Sequence, residues 1–259
     1  MSLLKRFLPG SGTTTQRQQL TRADLIEALQ QSGCALCRLA QSKSARYIET
    51  FLADAVMDVE QRDAWRLAKG LCHWHAWMAA ASPQSSSSLA ILYDDLLHHE
   101  SMLLAPLTVS PPTSRWRRQR TGSRLAHRVR RWLQAWKQPR TCPACHLWQA
   151  YERLCLTVLL DAWSDQEMSA AFAQSAGLCL PHTARLIAHG ATHPHFVAVL
   201  AAQQVHWQAL RGDLQEFLRK QDYRFARESY GREADAWQRV IALFVGTRQG
   251  QKPASPEKA

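Results

Sequence analysis

Apolar positions recur at intervals of three and four residues through most of this chain. Leu39, Tyr47, Phe51, Leu52, Ala55 and Val59 fall on one helical stripe, and Trp148, Tyr151, Cys155, Leu156, Leu159 and Leu160 on another. Runs of alternating Val, Ile or Thr are few, whereas Ala, Leu, Gln and Arg dominate, so the pattern predicts an all-α protein. A third stripe, Trp237, Val240, Ile241 and Phe244, predicts a C-terminal helix over 234–245 packed across the rest. Ser164 with Glu167 reads as a capping box that opens a return helix, and Gly70 and Gly177 read as helix stops. Helical hairpins follow from these signals.

The pattern is written twice. Leu89-Ala-Ile-Leu92 aligns with Val197-Ala-Val-Leu200, and His98 with His206, at an offset of 108. The predicted organisation is an N-terminal tail over 1–20, a first repeat over 21–108, an insert over 109–140, a second repeat over 141–246 and a disordered tail over 247–259. At 259 residues and 46% apolar composition the chain is long enough to bury a full core.

Cysteine follows the same repeat. Cys34-x-x-Cys37 precedes Gly70-Leu-Cys72-x-x-His75 with 34 residues between Cys37 and Cys72, and Cys142-x-x-Cys145 precedes Gly177-Leu-Cys179-x-x-His182 with 33 between Cys145 and Cys179. A Cys-x-x-Cys turn aims two sulfurs at one ion, and Cys-x-x-His at a helix start puts sulfur and imidazole on one face. Each repeat is therefore expected to staple its own hairpin with a Cys3His site: Cys34, Cys37, Cys72 and His75 in the first, Cys142, Cys145, Cys179 and His182 in the second. Of the seven cysteines only Cys155 is left over, and its place on an apolar stripe marks a core thiol.

Zinc, two per chain, suits Cys3His ligation and leaves no open position for a catalytic water. Iron–sulfur clusters with three thiolates and one imidazole are the alternative. Cys142-Pro-Ala-Cys145-His146 matches a haem attachment pattern, but the first copy ends in Arg38, which argues against haem. A dithiol redox motif would need a βαβ setting that is missing here. His189, His193 and His195 cluster around Gly190 and Pro194 in a loop between helices, where an accessory metal site is one reading and a surface coincidence the plainer one. No phosphate loop, nucleophile elbow or dinucleotide fingerprint is present, so the enzyme question stays open, with binding favoured over catalysis.

Charge changes the picture in one segment. Of a net +11, ten charges fall in 109–140, which holds nine arginines and Lys137 and no acid. Leu125, Val129, Trp132, Leu133 and Trp136 lie on one face of a helix there, with arginines around them. Such a basic amphipathic helix suits an acidic protein partner, a nucleic acid or an anionic membrane surface, with Arg117, Arg118, Arg130, Arg131, Trp132 and Trp136 as the contacting residues. Solvated arginines over a packed apolar face are the plainer reading. No run approaches the ~18–20 apolar residues that span a bilayer, and the N-terminus lacks a signal-peptide core, so a reducing cytoplasmic setting is expected.

The paired Cys-Pro-x-Cys and Gly-x-Cys-x-x-His motifs, with Gly70-Leu-Cys-His-Trp-His-Ala-Trp77, Leu89-Ala-Ile-Leu-Tyr-Asp-Asp-Leu96, Gly177-Leu-Cys-Leu-Pro-His182, Asp222-Tyr-Arg-Phe and Glu233-Ala-Asp-Ala-Trp237, resemble an uncharacterised bacterial family, a domain of unknown function. The resemblance covers nearly the whole chain except the basic insert. It implies a helical metal-site protein and brings no activity with it. Ala35 stands where the first pair often has proline. Three roles fit: a zinc scaffold or adaptor, an electron-transfer protein, and a maturation factor that loads metal into an enzyme.

Overall fold

A computed structural model describes residues 14–105, 126–130, 132–134, 142–225 and 227–247. Among them every regular element is a helix and no strand occurs. In chain order these are α1 (Thr14–Leu29), α2 (Ala35–Met57), α3 (Val59–Ala68), α4 (His73–Ala80), α5 (Ser86–Leu104), α6 (Pro143–Asp161), α7 (Gln166–Gln174), α8 (Leu180–Gly190), α9 (Phe196–Lys220) and α10 (Ala236–Val245), with short 3₁₀ turns at Pro83–Ser85, Tyr223–Phe225 and Arg232–Asp235. The all-α expectation holds.

The chain forms two compact units that do not follow the repeat boundaries. One comprises residues 1–44 and 147–259, the other residues 45–146. Each boundary falls inside a long helix, α2 or α6.

In the first unit, Leu25, Ile26, Ala28 and Leu29 of α1 pack with Leu36 and Leu39 of α2, Leu156, Leu159 and Leu160 of α6 and Phe172 of α7. Burying each large side chain in this core contributes about 1.5–3 kcal/mol. Arg22 of α1 is salt-bridged to Asp165 and Glu167 at the start of α7. Residues 14–20, expected in a tail, are thus the first turns of a core helix. Cys155 is fully buried in this core, as its place on the stripe required. The N-cap of α7 is Asp165, whose carboxylate accepts from the Glu167 amide at 3.0 Å; the expected Ser164 cap is displaced by one residue. Ser164 instead bonds His195 at 3.0 Å.

The second unit is built on aromatics. Tyr47, Phe51 and Trp65 stack in sequence, Tyr93 meets Trp65 edge-on at 5.1 Å, and the buried Trp65 indole donates to the Leu92 carbonyl at 3.1 Å. Asp58 caps α3 by accepting from the Glu60 and Gln61 amides. At the other end Lys69 and Gly70 both take left-handed φ, 54° and 80°, and turn the chain into the Gly-Leu-Cys segment. Val59, expected on the buried stripe of α2, is instead 75% exposed, because Asp58 ends that helix one residue earlier.

The C-terminal helix also departs from expectation. α10 begins at Ala236, and its inner face carries Ala236, Val240 and Leu243, while Trp237, Ile241 and Phe244 are exposed. The helix buries the narrow side of its apolar surface and leaves the bulky side outward.

Candidate metal centres

All eight expected ligands are placed at the N-terminal ends of helices. Cys34 and Cys37 open α2, Cys142 and Cys145 open α6, Cys72 is the N-cap of α4, and Cys179 the N-cap of α8. The two caps share one backbone conformation, φ −66° and ψ 166° at Cys72 and φ −68° and ψ 162° at Cys179. Their side chains make no cap hydrogen bond to the helix, which leaves each sulfur free to point into a pocket. The positive ends of the helix dipoles favour thiolate there.

The residues do not group as the repeat suggested. Cys34 and Cys37 meet Cys179 and His182, and Cys142 and Cys145 meet Cys72 and His75. Within each group, the ligand atoms all lie within 4.8 Å of one another. The pairing is exchanged between repeats, so the expectation of one self-contained site per repeat is corrected. Helix lengths give the reason. α2 has 23 residues and its return arm α3 only 10; α6 has 19 and α7 only 9. At 1.5 Å per residue the outgoing arms rise about 35 and 29 Å and the returns about 15 and 14 Å. A hairpin with a half-length return cannot bring its second half-site back to its first.

In site I, Nδ1 of His182 lies 3.0 Å from Cys179 Sγ, 3.4 Å from Cys34 Sγ and 3.5 Å from Cys37 Sγ, and Cys37 Sγ is 3.7 Å from Cys179 Sγ. In site II, Nδ1 of His75 lies 3.2 Å from Cys72, 3.4 Å from Cys145 and 3.5 Å from Cys142, and Cys72 Sγ is 3.6 Å from Cys145 Sγ. No pair is disulfide-bonded. A tetrahedral ion with metal–sulfur bonds of about 2.3 Å and metal–nitrogen bonds of about 2.0 Å separates sulfurs by about 3.8 Å and sulfur from nitrogen by about 3.5 Å. The donor sets fit a single ion each.

Electrostatics support the same fit. In site I hydrogen bonds from Cys179 and Cys34 pull the Cys37 thiol well below its ordinary range, while burial and the neighbouring sulfurs push Cys34 well above it. In site II the Cys145 hydrogen bond brings Cys142 down to about 3, and Cys145 rises in turn. Three close sulfurs share protons in this way because three bare thiolates repel, and a divalent cation is what lets all three ionise together.

Four further residues that the motifs did not mark complete site I. Nε2 of His182 faces the buried Glu152 carboxylate at 3.4 Å, and Arg185 donates to the other Glu152 oxygen at 2.5 Å. Against the downward pull of burial, contacts with the Cys179 and Cys37 sulfurs raise His182 to about 9. From the end of α10, the Thr247 hydroxyl accepts from the Cys34 amide at 3.3 Å. Gly246, at φ 87°, passes so close that a Cβ there would sit 3.2 Å from Cys37 Sγ. Residue 247, expected to open a disordered tail, is part of the site, and 248–259 lie outside the described residues.

The loop histidines do not form a third centre among the described residues. His189 bonds Thr157, His193 meets Asp161 at 3.2 Å, and His195 bonds the Leu160 carbonyl. Of the expected partner-binding residues, Arg130 is exposed and Trp132 half-buried in a helical stretch, whereas Arg117, Arg118, Arg131 and Trp136 lie outside the described residues. Trp74 and Trp77 of α4 are 64% and 68% exposed. No helix among the described residues is long and apolar enough to cross a membrane.

A family model, described as a family of unknown function (DUF6062), matches residues 16–251. The chain belongs to that family. The match spans both units and all eight candidate ligands of this DUF6062 member, with the basic segment inside it. Neither a curated protein nor a solved structure matches the chain.

Proposed function

We propose that this DUF6062 protein is a cytoplasmic zinc-binding helical scaffold that holds one ion in each Cys3His group and engages an acidic protein partner or a nucleic acid through the basic segment 109–140. The observation that carries the metal reading is the close spacing within both groups, where all four donor atoms lie within 4.8 Å of one another and the histidine nitrogen lies 3.0–3.5 Å from each of its three sulfurs. In a cluster the ligands divide among several irons and spread apart by the iron–iron distance; in a one-ion site they crowd to the spacing found here. This favours zinc over the iron–sulfur alternative. Four protein ligands fill a tetrahedral ion, so it supplies cross-linking of helix ends rather than a reactive water. The chain's own contribution is to hold Cys34, Cys37, Cys179 and His182, and Cys72, His75, Cys142 and Cys145, at those helix ends.

The partner reading rests on charge and on unpaired apolar surface. Ten of the net eleven positive charges lie in one segment, and bulky aromatics such as Trp77 and Trp237 face outward.

Metal analysis and a visible spectrum of protein purified without oxygen test the first part. About two zinc per chain and no colour is expected; iron with labile sulfide would overturn it in favour of electron transfer. For the second part, binding to an anionic polymer should fall steeply with salt, and neutralising Arg117, Arg118, Arg130 and Arg131 should abolish it. Binding retained by that variant would sink the role of the segment.

A further inference from the structure

Resting on the one-ion reading above, we propose that the two ions are held unequally: site I keeps its ion, and site II is the exchangeable site, where a thiophilic divalent cation such as zinc enters and leaves the folded protein.

The two donor sets are chemically identical, so any difference comes from what surrounds them. Behind His182 stands Glu152, 3% exposed in its side chain, with Arg185 on its far oxygen. The 3.4 Å approach is an ion-pair contact rather than a hydrogen bond, and Glu152 Oε1 accepts no other hydrogen bond among the described residues, so a proton on Nε2 is what this buried oxygen lacks. That favours the tautomer that presents Nδ1 to an ion; loss of such an outer carboxylate costs about ten- to a hundredfold in affinity. Behind His75 no carboxylate stands among the described residues. The position matching 152 at the repeat offset is Ser44, so the duplication did not keep an acid in both copies.

Access differs in the same direction. Cys34 and Cys179 are buried, and Cys37, the one half-buried ligand of site I, lies beneath Gly246. The Thr247 hydroxyl on the Cys34 amide fastens that segment down. In site II both Cys72 and Cys145 are half-buried. An attacking chelator thiol or carboxylate therefore meets two half-buried sulfurs at site II and one at site I, which the end of α10 flanks.

The test uses the full-length chain after its zinc content has been counted. With two equivalents bound, the protein is challenged at neutral pH with excess chelator together with a thiol-alkylating reagent, and modified cysteines are mapped by mass spectrometry over time. Cys72, Cys142 and Cys145 are expected to be modified at least about tenfold faster than Cys34, Cys37 and Cys179, alongside release of the first zinc equivalent. Glu152→Gln should accelerate only the slow set. Equal modification of both sets, or faster modification of the Cys34 set, overturns the proposal with the zinc reading intact. Absence of zinc at the outset removes both.

Discussion

The Glu152 carboxylate lies 3.4 Å from His182 Nε2, the ring nitrogen that does not face the three sulfurs, with the Arg185 guanidinium on its other oxygen. Arg185→Ala removes the hydrogen bond to Oε2 and leaves the buried carboxylate facing only the His182 ring. Because Arg185 is half exposed, screening reduces the loss to about 1–2 kcal/mol. Urea unfolding checks this, and the same change made in a Glu152→Gln background should cost less than half as much, since the charge it serves is gone.

Exchange of half-sites between repeats makes a prediction about coupling. Residues that share one ion lose it once, so combining Cys34→Ser with His182→Ala should destabilise scarcely more than either alone. Combining Cys34→Ser with Cys72→Ser breaks two ions and should cost close to the sum. Thermal melts of the single and double variants decide it, and the opposite result would restore the pairing within repeats.

Gly246→Ala should weaken metal retention at site I. A backbone at φ 87° and ψ 163° is open almost only to glycine and costs a residue with a Cβ about 1–3 kcal/mol, and the added carbon meets Cys37 Sγ at 3.2 Å. One zinc equivalent per chain should be lost at lower chelator concentration, the other unchanged.

Thr21 is fully buried in α1 and its hydroxyl has no hydrogen-bond partner. Replacing it with the isosteric Val removes an unsatisfied group without opening a cavity. Thr21→Val should stabilise the protein by about 1 kcal/mol in urea titration.

Glu233 is held down to about 2 by the Gly231 amide and the Lys220 ammonium. A depressed carboxylate stabilises the fold above its unfolded value near 4.5, and that contribution is lost as pH falls toward 2. Urea midpoints of the native chain and Glu233→Gln should therefore differ most above about pH 5 and converge in acid.

Much of this was legible from spacing alone. The stripes of α2 and α6 placed Phe51, Leu52, Leu156 and Leu159 in the core, and the repeated motifs marked all eight candidate ligands. Which half-sites meet was not given by the repeat, because self-similarity is the same whether an ion joins residues within a copy or between copies. The unequal arms, a return segment that Asp58 and Asp165 begin late, held that answer. Glu152 also left a trace: it is an acid at the stripe position three before Cys155 and four before Leu156, where an apolar residue would be expected. The exposed side of α10 left none, since Trp237, Ile241 and Phe244 form as regular a stripe as a buried helix would.

Crossed ligation also sets the order in which the protein can mature on the ribosome. After Cys72 and His75 emerge, the first half of the chain holds two open half-sites and can close neither. Site II becomes possible only when Cys145 is out, and the earliest cysteines, Cys34 and Cys37, wait for His182 near the far end. A truncated product that stops before Cys142 therefore carries four ligands without the partners that complete either site.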